Sequence, residues 1–126
     1  MKKDVITTEK AALPVGPYSQ AIRTGEFVFV AGEKGIDPKT GKIVGGGIAA
    51  ETRQTLDNIR AILEAAGTSL DHVVRTVVYL TDIDDFAEMN GVYAGYFTTD
   101  PPGRTTVQVV ALPAGAHLEI EATAVL

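Results

Sequence analysis

Apolar and polar residues alternate along this chain in short blocks, and their spacing predicts a set of β-strands. A first strand is expected over residues 5–7, followed by a hairpin over 20–31 whose second strand is apolar on both faces and hence central. Residues 73–80 form the clearest strand because they are rich in β-branched side chains. The last two strands are expected over 104–110 and 118–125, joined around Leu112-Pro113-Ala114-Gly115.

Two further segments have the three- and four-residue spacing of amphipathic helices. The first is expected over residues 48–66, and Gly67 is in the usual position for a left-handed residue that ends a helix. The second is expected to begin at an Asp82 cap and to stop at Pro101. Its predicted apolar face consists of Ile83, Phe86, Asn90, Tyr93 and Phe97.

The resulting order, β-β-α-β-α-β-β, predicts an α+β fold with both helices on one face of a mixed sheet. The other face then has to be covered by something else, most simply by another copy of the chain. Without an internal repeat or a linker, residues 1–126 are expected to form a single domain.

Composition excludes several classes of function. The formal net charge of −5 argues against sequence-independent binding of nucleic acid, which needs a concentrated basic face. The chain has no cysteine, which excludes disulfides, thiolate nucleophiles and cysteine-ligated zinc, and its two histidines alone cannot form a metal site. With no signal peptide and no stretch of about 20 apolar residues, a cytoplasmic protein without a membrane span is expected.

The candidate chemistry lies on the last two strands. Arg104 offers a planar cation suited to holding a small carboxylate, and Glu119 lies between Leu118 and Ile120, where water is scarce. If the two strands form a hairpin about Ala114, the two charged residues are about five strand steps, or roughly 16 Å, apart. If they share one site, that site is therefore expected to lie across a subunit interface.

Structural alternatives exist for each of these residues. Arg104 could pair with a surface carboxylate, and Glu119 could belong with Glu121 to the solvated side of an edge strand. Asn90 could cap a backbone carbonyl instead of binding a ligand. Both histidines are interpreted as surface or loop residues and not as catalysts.

Several motifs in order give the chain its resemblance to a known family, over essentially its whole length. They are Gly16-Pro17-Tyr18-Ser19-Gln20-Ala21, Asp37-Pro38-x-Thr40-Gly41, Thr52-Arg53-Gln54-x-Leu56-x-Asn58, Leu63-x-Ala65-Ala66-Gly67, Asp85-Phe86-x-x-Met89-Asn90-x-x-Tyr93, Pro102-x-Arg104-Thr105-x-Val107 and Glu119-Ile120-Glu121-Ala122. With them the chain resembles the Rid family of reactive intermediate deaminases, whose older name is endoribonuclease L-PSP.

The resemblance implies a chorismate-mutase-like fold, assembled as a homotrimer around a central β-barrel with three sites between subunits. It implies hydrolysis of small 2-imino acids, such as 2-iminobutanoate and 2-iminopropanoate, or of their enamine tautomers. The products are a 2-oxo acid and ammonia, and neither a metal nor a cofactor is implied.

The resemblance also implies roles for individual residues. Arg104 would hold the substrate carboxylate with help from the Gly32 amide, and Glu119 would position the attacking water and move protons. Three further positions complete the implied site. These are Tyr18 as a pocket wall, Asn90 as a residue that orders the cleft and Thr106 as a backbone carbonyl that receives the imine nitrogen.

The chain departs from the family pattern where active members usually have Ser-Gly-Gln. Here the sequence is Ala31-Gly32-Glu33, so the hydroxyl thought to orient substrate or water is missing, which suggests a lower rate or a shifted substrate preference. Glu33 adds a negative charge near a site for an anion, unless Lys34 or another cation offsets it. Thr106 stands where many members carry cysteine.

The sequence is also compatible with two other functions. A non-catalytic trimer that binds small 2-oxo acids or a protein partner is the main alternative, and Ala31 is its best support. A ribonuclease is suggested by the older family name, but the acidic charge and the lack of a histidine pair count against it.

Overall fold

The structure is a computed structural model that describes residues 2–126. These residues form eight strands and two α-helices, together with 3-10 turns at Leu70–His72, Ile83–Asp85 and Pro113–Gly115. The elements are β1 (Asp4–Ile6), β2 (Ala21–Thr24), β3 (Phe27–Lys34), β4 (Ile36–Asp37), β5 (Lys42–Ile43), α1 (Gly47–Ala65), β6 (Val73–Leu80), α2 (Phe86–Tyr93), β7 (Gly103–Gln108) and β8 (Leu118–Val125).

Six strands form one mixed sheet in the order β1-β2-β3-β8-β6-β7, and β4 pairs with β5 in a separate small hairpin. The strands predicted from the sequence are confirmed, but the hairpin between the last two is wrong, because β6 lies between β7 and β8. Helix α2 returns the chain to the start of β6, so β7 runs parallel to that strand. β8 then pairs antiparallel with the other edge of β6.

The first helix matches its prediction closely. Its apolar face is fully buried, with Leu56, Ile59 and Leu63 at most 1% exposed. Gly67 has a φ of 88°, which is the left-handed conformation expected just after a helix. Arg23 also caps this end, because its Nη1 donates to the Ala66 carbonyl over 3.0 Å.

The second helix is shorter than predicted, since it ends at Tyr93 and not at Pro101. The Asp82 carboxylate caps the 3-10 turn before the helix, where it accepts a hydrogen bond from the Asp84 amide over 2.9 Å. Gly91 and Gly95 weaken the helix near its end, because glycine is a poor helix former. The predicted apolar face is also incomplete, because Met89 is fully buried whereas Phe86 is 40% exposed.

Both helices lie on one side of the sheet, and the core fills the space between. The opposite side, called here the open face, has no helix over it in residues 2–126. Phe29 and Val107 project from it and are 46% and 39% exposed, and Phe27 stacks on Phe29 with 6.0 Å between ring centroids. No helix in the described part of the chain is long and apolar enough to cross a membrane.

Candidate functional site

An irregularity in β3 sets the geometry around Glu119. Val30 pairs with Ala122 and Glu33 pairs with Ile120, so two residues of β3 face a single residue of β8 between these pairs. This β-bulge reverses the inward and outward alternation of the strand. Without it, Lys34 would share the core face with Val30. With it, Lys34 lies opposite Glu119 on the open face.

Glu119 makes a buried ion pair with that lysine. The Lys34 Nζ lies 3.4 Å from Glu119 Oε1, and the two side chains are 6% and 20% exposed. The interpretation of Glu119 as part of a solvated edge strand is wrong, because β8 lies between β3 and β6. Glu121, the neighbour on the same face, accepts a short hydrogen bond from the Tyr79 hydroxyl.

The backbone of Gly32 approaches the Glu119 carboxylate too closely for any side chain. A Cβ added at Gly32 would lie 2.5 Å from Oε2, so only glycine fits without moving the carboxylate. The two residues contribute to a cavity of about 270 Å³. The cavity is lined by Val15, Tyr18, Ala31, Gly32, Lys34, Pro113 and Glu119, here called the Glu119 half-site.

Burial changes the expected charge of Glu33. Its side chain faces the core beside Ile120, the residue is 5% exposed, and desolvation raises its pKa to about 8. The nearby Lys34 lowers that pKa and Glu119 raises it, but burial is the largest effect. At pH 7 Glu33 is therefore mostly protonated. Burial thus favours the neutral form of Glu33, and its side chain faces the core and not the cavity of the Glu119 half-site.

Arg104 lies on β7, which is an edge strand of the sheet, and its side chain is on the helix face. Its guanidinium carbon is 4.7 Å from the centroid of the Tyr93 ring and 5.5 Å from that of Phe86. Within residues 2–126, no carboxylate is close enough to form an ion pair with it. The alternative of a surface ion pair is therefore wrong. The cation lies over two aromatic faces and also interacts with the Tyr93 hydroxyl, which leaves it without an anionic partner among the described residues.

Asn90 provides an unused acceptor beside this arginine. Its Oδ1 is buried and has no hydrogen-bond partner among residues 2–126. A buried acceptor without a partner is uncommon and costs stability, so Asn90 is a candidate for a contact that forms only in the complete site. The surrounding cavity has a volume of about 530 Å³. It is lined by Asn90, Tyr93, Ala94, Phe97, Pro101, Pro102 and Arg104, here called the Arg104 half-site.

Thr106 follows Arg104 on the edge strand, with its backbone turned outward. The Val109 amide donates to the Leu80 carbonyl over 2.8 Å, which identifies the residues of this segment that face β6. Backbone groups alternate along a strand, so the carbonyl of Thr106 points away from β6.

The two half-sites lie on opposite faces of the same sheet. Arg104 pairs with Thr76, whose hydroxyl contacts the buried Tyr93 hydroxyl over 2.7 Å on the helix face. Glu119 pairs with Tyr79, three residues further along β6 and therefore on the open face. The separation of Arg104 and Glu119 was predicted from a hairpin of the last two strands, which the structure does not contain. Their placement on opposite faces of the sheet nevertheless leads to the same conclusion, that one small molecule cannot contact both residues within a chain.

The histidines lie outside both half-sites, in agreement with their interpretation as surface or loop residues. His72 Nδ1 is 3.0 Å from the Thr68 hydroxyl. His117, whose side chain is 62% exposed, is paired through Nδ1 with the buried Glu51 carboxylate at 2.6 Å.

Comparison with known proteins identifies the family. A family model described as Endoribonuclease L-PSP matches residues 8–126. The chain therefore belongs to this family, which is the Rid family that its sequence motifs resemble. A RutC family protein of Pyrococcus horikoshii is 57% identical over 122 residues, which cover 97% of each chain.

Two other relatives carry more specific descriptions. The human 2-iminobutanoate/2-iminopropanoate deaminase is 46% identical over 121 residues, covering 96% of this chain and 88% of the relative. The crystal structure of Escherichia coli TdcF with bound serine matches with a TM-score of 0.94 at 38% identity, covering 98% of this chain and 99% of the other. The α+β, chorismate-mutase-like fold expected from the resemblance is confirmed.

Proposed function

We propose that this protein is a hydrolytic deaminase of small 2-imino acids, such as 2-iminobutanoate and 2-iminopropanoate, and of their enamine tautomers. The observation that carries the proposal is the Arg104 guanidinium, which lies over two rings, has no carboxylate partner among residues 2–126 and lines the same cavity as Asn90. A small carboxylate supplies the anionic partner that Arg104 lacks. The 46% identical human deaminase and the serine-bound relative support the same class of ligand.

In this proposal the Arg104 and Glu119 half-sites belong to two neighbouring chains of a homotrimer. The open face, with its exposed phenylalanines, is the surface on which the copies pack around a central barrel. Tyr18, Gly32 and Glu119 come from one chain, and Asn90, Arg104 and Thr106 come from the next. In this arrangement Arg104 of one chain and Glu119 of another can contact the same substrate, although the two residues lie on opposite faces of the sheet within each chain.

The proposed chemistry is addition of water to a C=N bond followed by loss of ammonia. Arg104 binds the carboxylate, the Gly32 amide assists it, and the Thr106 carbonyl accepts a hydrogen bond from the imine nitrogen. Glu119 takes a proton from the water as its oxygen attacks the imine carbon, and passes that proton to the nitrogen. Glu119 then carries the hydroxyl proton of the tetrahedral carbinolamine to its nitrogen, the C–N bond breaks, and the 2-oxo acid and ammonia are released. Proton transfer of this kind contributes about 10²–10⁴-fold.

The direct test couples a threonine dehydratase to this protein and follows 2-oxobutanoate while semicarbazide competes for the imine. Arg104→Ala and Glu119→Ala variants are compared with the wild type, after each has been checked for folding by circular dichroism. Faster formation of the keto acid by the wild type alone supports the deaminase. No acceleration by folded wild-type protein with this imine or with 2-iminopropanoate contradicts it.

A second candidate function is a trimer that binds 2-oxo acids without turnover. Ala31 favours it, because this methyl group lines the Glu119 half-site at the position where active relatives of the family usually carry a serine hydroxyl. Binding of 2-oxobutanoate in a calorimetric titration, with no acceleration in the coupled assay, would select this function.

A further inference from the structure

Lys34 is the one strongly buried amino group of the described chain that reaches the proposed site. The residue is 5% exposed, and its Nζ is 3.4 Å from Glu119 Oε1. Each of the other ion pairs among residues 2–126 has at least one partner whose side chain is 47% or more exposed. A lysine is rarely buried to this degree unless it is paired, so its position calls for a reason.

The charge of Lys34 is balanced by Glu119 and not by its neighbour in sequence. Glu33 points to the other side of the strand, towards Ile120, and burial raises its pKa to about 8. With Glu33 mostly protonated at pH 7, the Glu119 carboxylate is the anion that compensates the buried ammonium group.

The ion pair distinguishes the two oxygens of Glu119. Oε1 receives the Lys34 ammonium group, whereas Oε2 lies against the bare Cα of Gly32 and accepts no hydrogen bond from residues 2–126. The carboxylate is thus fixed from both sides, by a charge on one oxygen and by a close backbone contact on the other. Oε2 is left as the acceptor for a water in the cavity.

We propose that Lys34 is a positioning residue, which orients the Glu119 carboxylate so that Oε2 faces the attacking water. This inference rests on the proposed deaminase function and adds to it a residue that does not itself contact the substrate. Holding a catalytic group in a fixed orientation is worth a large factor, since a misplacement of about 1 Å can cost about 10²-fold in rate.

The test measures kcat and KM separately for Lys34→Met and Lys34→Arg in the coupled dehydratase assay. Lys34→Met keeps the length and apolar stem of the side chain but removes its charge. We expect kcat to fall by about 10- to 100-fold, while KM changes by less than about threefold because Arg104 still binds the carboxylate. Lys34→Arg keeps the cation and is expected to recover most of the lost kcat.

Two controls separate this role from a structural one. Lys39→Met removes an exposed lysine of the turn before β5 and is expected to keep wild-type kcat. Calorimetric titration with 2-oxobutanoate, the product, is expected to give the same affinity for Lys34→Met as for the wild type.

Each other outcome overturns the inference in an identifiable way. Unchanged kcat in Lys34→Met shows that Glu119 needs no support from this lysine. Loss of 2-oxobutanoate affinity with kcat intact makes Lys34 a carboxylate-binding group instead. If Lys34→Arg recovers no activity, a positive charge at this position is not what orients Glu119. Lack of turnover by the wild type overturns the proposed function itself, and with it the role of Lys34.

Discussion

The two half-sites differ in how completely the chain itself satisfies them. In the Glu119 half-site the charges are already paired, because Lys34 contacts one carboxylate oxygen and Gly32 packs against the other. In the Arg104 half-site neither the cation has a carboxylate partner nor the Asn90 oxygen a hydrogen-bond donor among residues 2–126. One half is therefore preorganised, while the other is left with unused hydrogen-bonding groups.

This difference agrees with the division of labour in the proposed function. A group that moves protons gains from being fixed before the substrate arrives, since no reorganisation is then needed during the reaction. A group that binds the substrate gains from unsatisfied donors and acceptors, since these are satisfied only in the complex. Substitutions in the first half should therefore affect kcat, and substitutions in the second should affect binding.

The strongest test asks whether the two halves belong to different chains. Glu119→Gln and Arg104→Ala proteins are each expected to be inactive, but a mixture unfolded and refolded together should regain activity. About a quarter of the sites then combine two intact halves, because each site draws its halves from two neighbouring chains at random. The measurement is the coupled assay on the refolded mixture, with each variant refolded alone as the control. No recovery would place both halves in one chain.

The second test removes the close contact that fixes Glu119. Gly32→Ala adds a Cβ 2.5 Å from Glu119 Oε2 and 2.8 Å from its Cδ, so the carboxylate has to move. We expect kcat to fall by about 10²-fold, the cost of misplacing a catalytic group by about 1 Å.

Gly45→Ala is the matched control, since a Cβ at Gly45 meets no atom of residues 2–126 within 4 Å, and it should keep wild-type kcat. An active Gly32→Ala enzyme would mean that the position of Glu119 is not critical.

The third test concerns the buried carboxyl group behind the Glu119 half-site. The pKa of Glu33 rises from 4.5 in the unfolded chain to about 8 in the folded one, so the unfolded chain releases this proton first as pH increases. The contribution to stability is full below pH 4.5 and is lost as pH rises through about 8. Glutamine cannot ionise, so Glu33→Gln should remove this loss.

Because each pH unit is worth about 1.4 kcal/mol, Glu33→Gln should be more stable than the wild type at pH 9 by an amount with an upper limit of about 5 kcal/mol. At pH 4.5 the two proteins should have similar free energies of unfolding. Urea denaturation at pH 4.5, 7 and 9 measures the difference, and Glu26→Gln at an exposed turn is the control. A difference that does not change with pH would contradict a protonated Glu33.

The sequence predicted the parts of the fold that depend on local patterns. The β-branched run at 73–80, the apolar face of α1 and the left-handed Gly67 are all features of neighbouring residues, and all three are confirmed. The order of strands in the sheet depends instead on pairing between distant segments. The insertion of β6 between β7 and β8 could not be inferred from residues near either strand.

The site shows the same limit more sharply. Arg104 and Glu119 stand out as charges on apolar strands, but simple alternation places Lys34 with the core residues of β3. Only the bulge opposite Glu121 turns it towards Glu119, and a bulge is defined by the partner strand. Glu33 stands where active family members usually have glutamine, and it resembles that neutral side chain only when it is protonated. Its protonation depends on burial by distant parts of the molecule, so it could not be inferred from neighbouring residues either.

The smallest expected effect tests the unused acceptor in the Arg104 half-site. Asn90→Leu removes a buried Oδ1 that has no partner among residues 2–126, so it should stabilise the folded protein by about 1 kcal/mol. The same change at Asn58 is the control. Its Nδ2 donates to the Lys34 and Ile36 carbonyls over 3.2 and 2.9 Å, and leaving them unpaired should destabilise by about 1–3 kcal/mol each. Urea denaturation compares the two variants with the wild type.

If Asn90→Leu instead costs more than about 1 kcal/mol, the amide is already bonded in the assembled protein. The acceptor would then serve the contact between chains, and substrate recognition would rest on Arg104 and the Thr106 carbonyl.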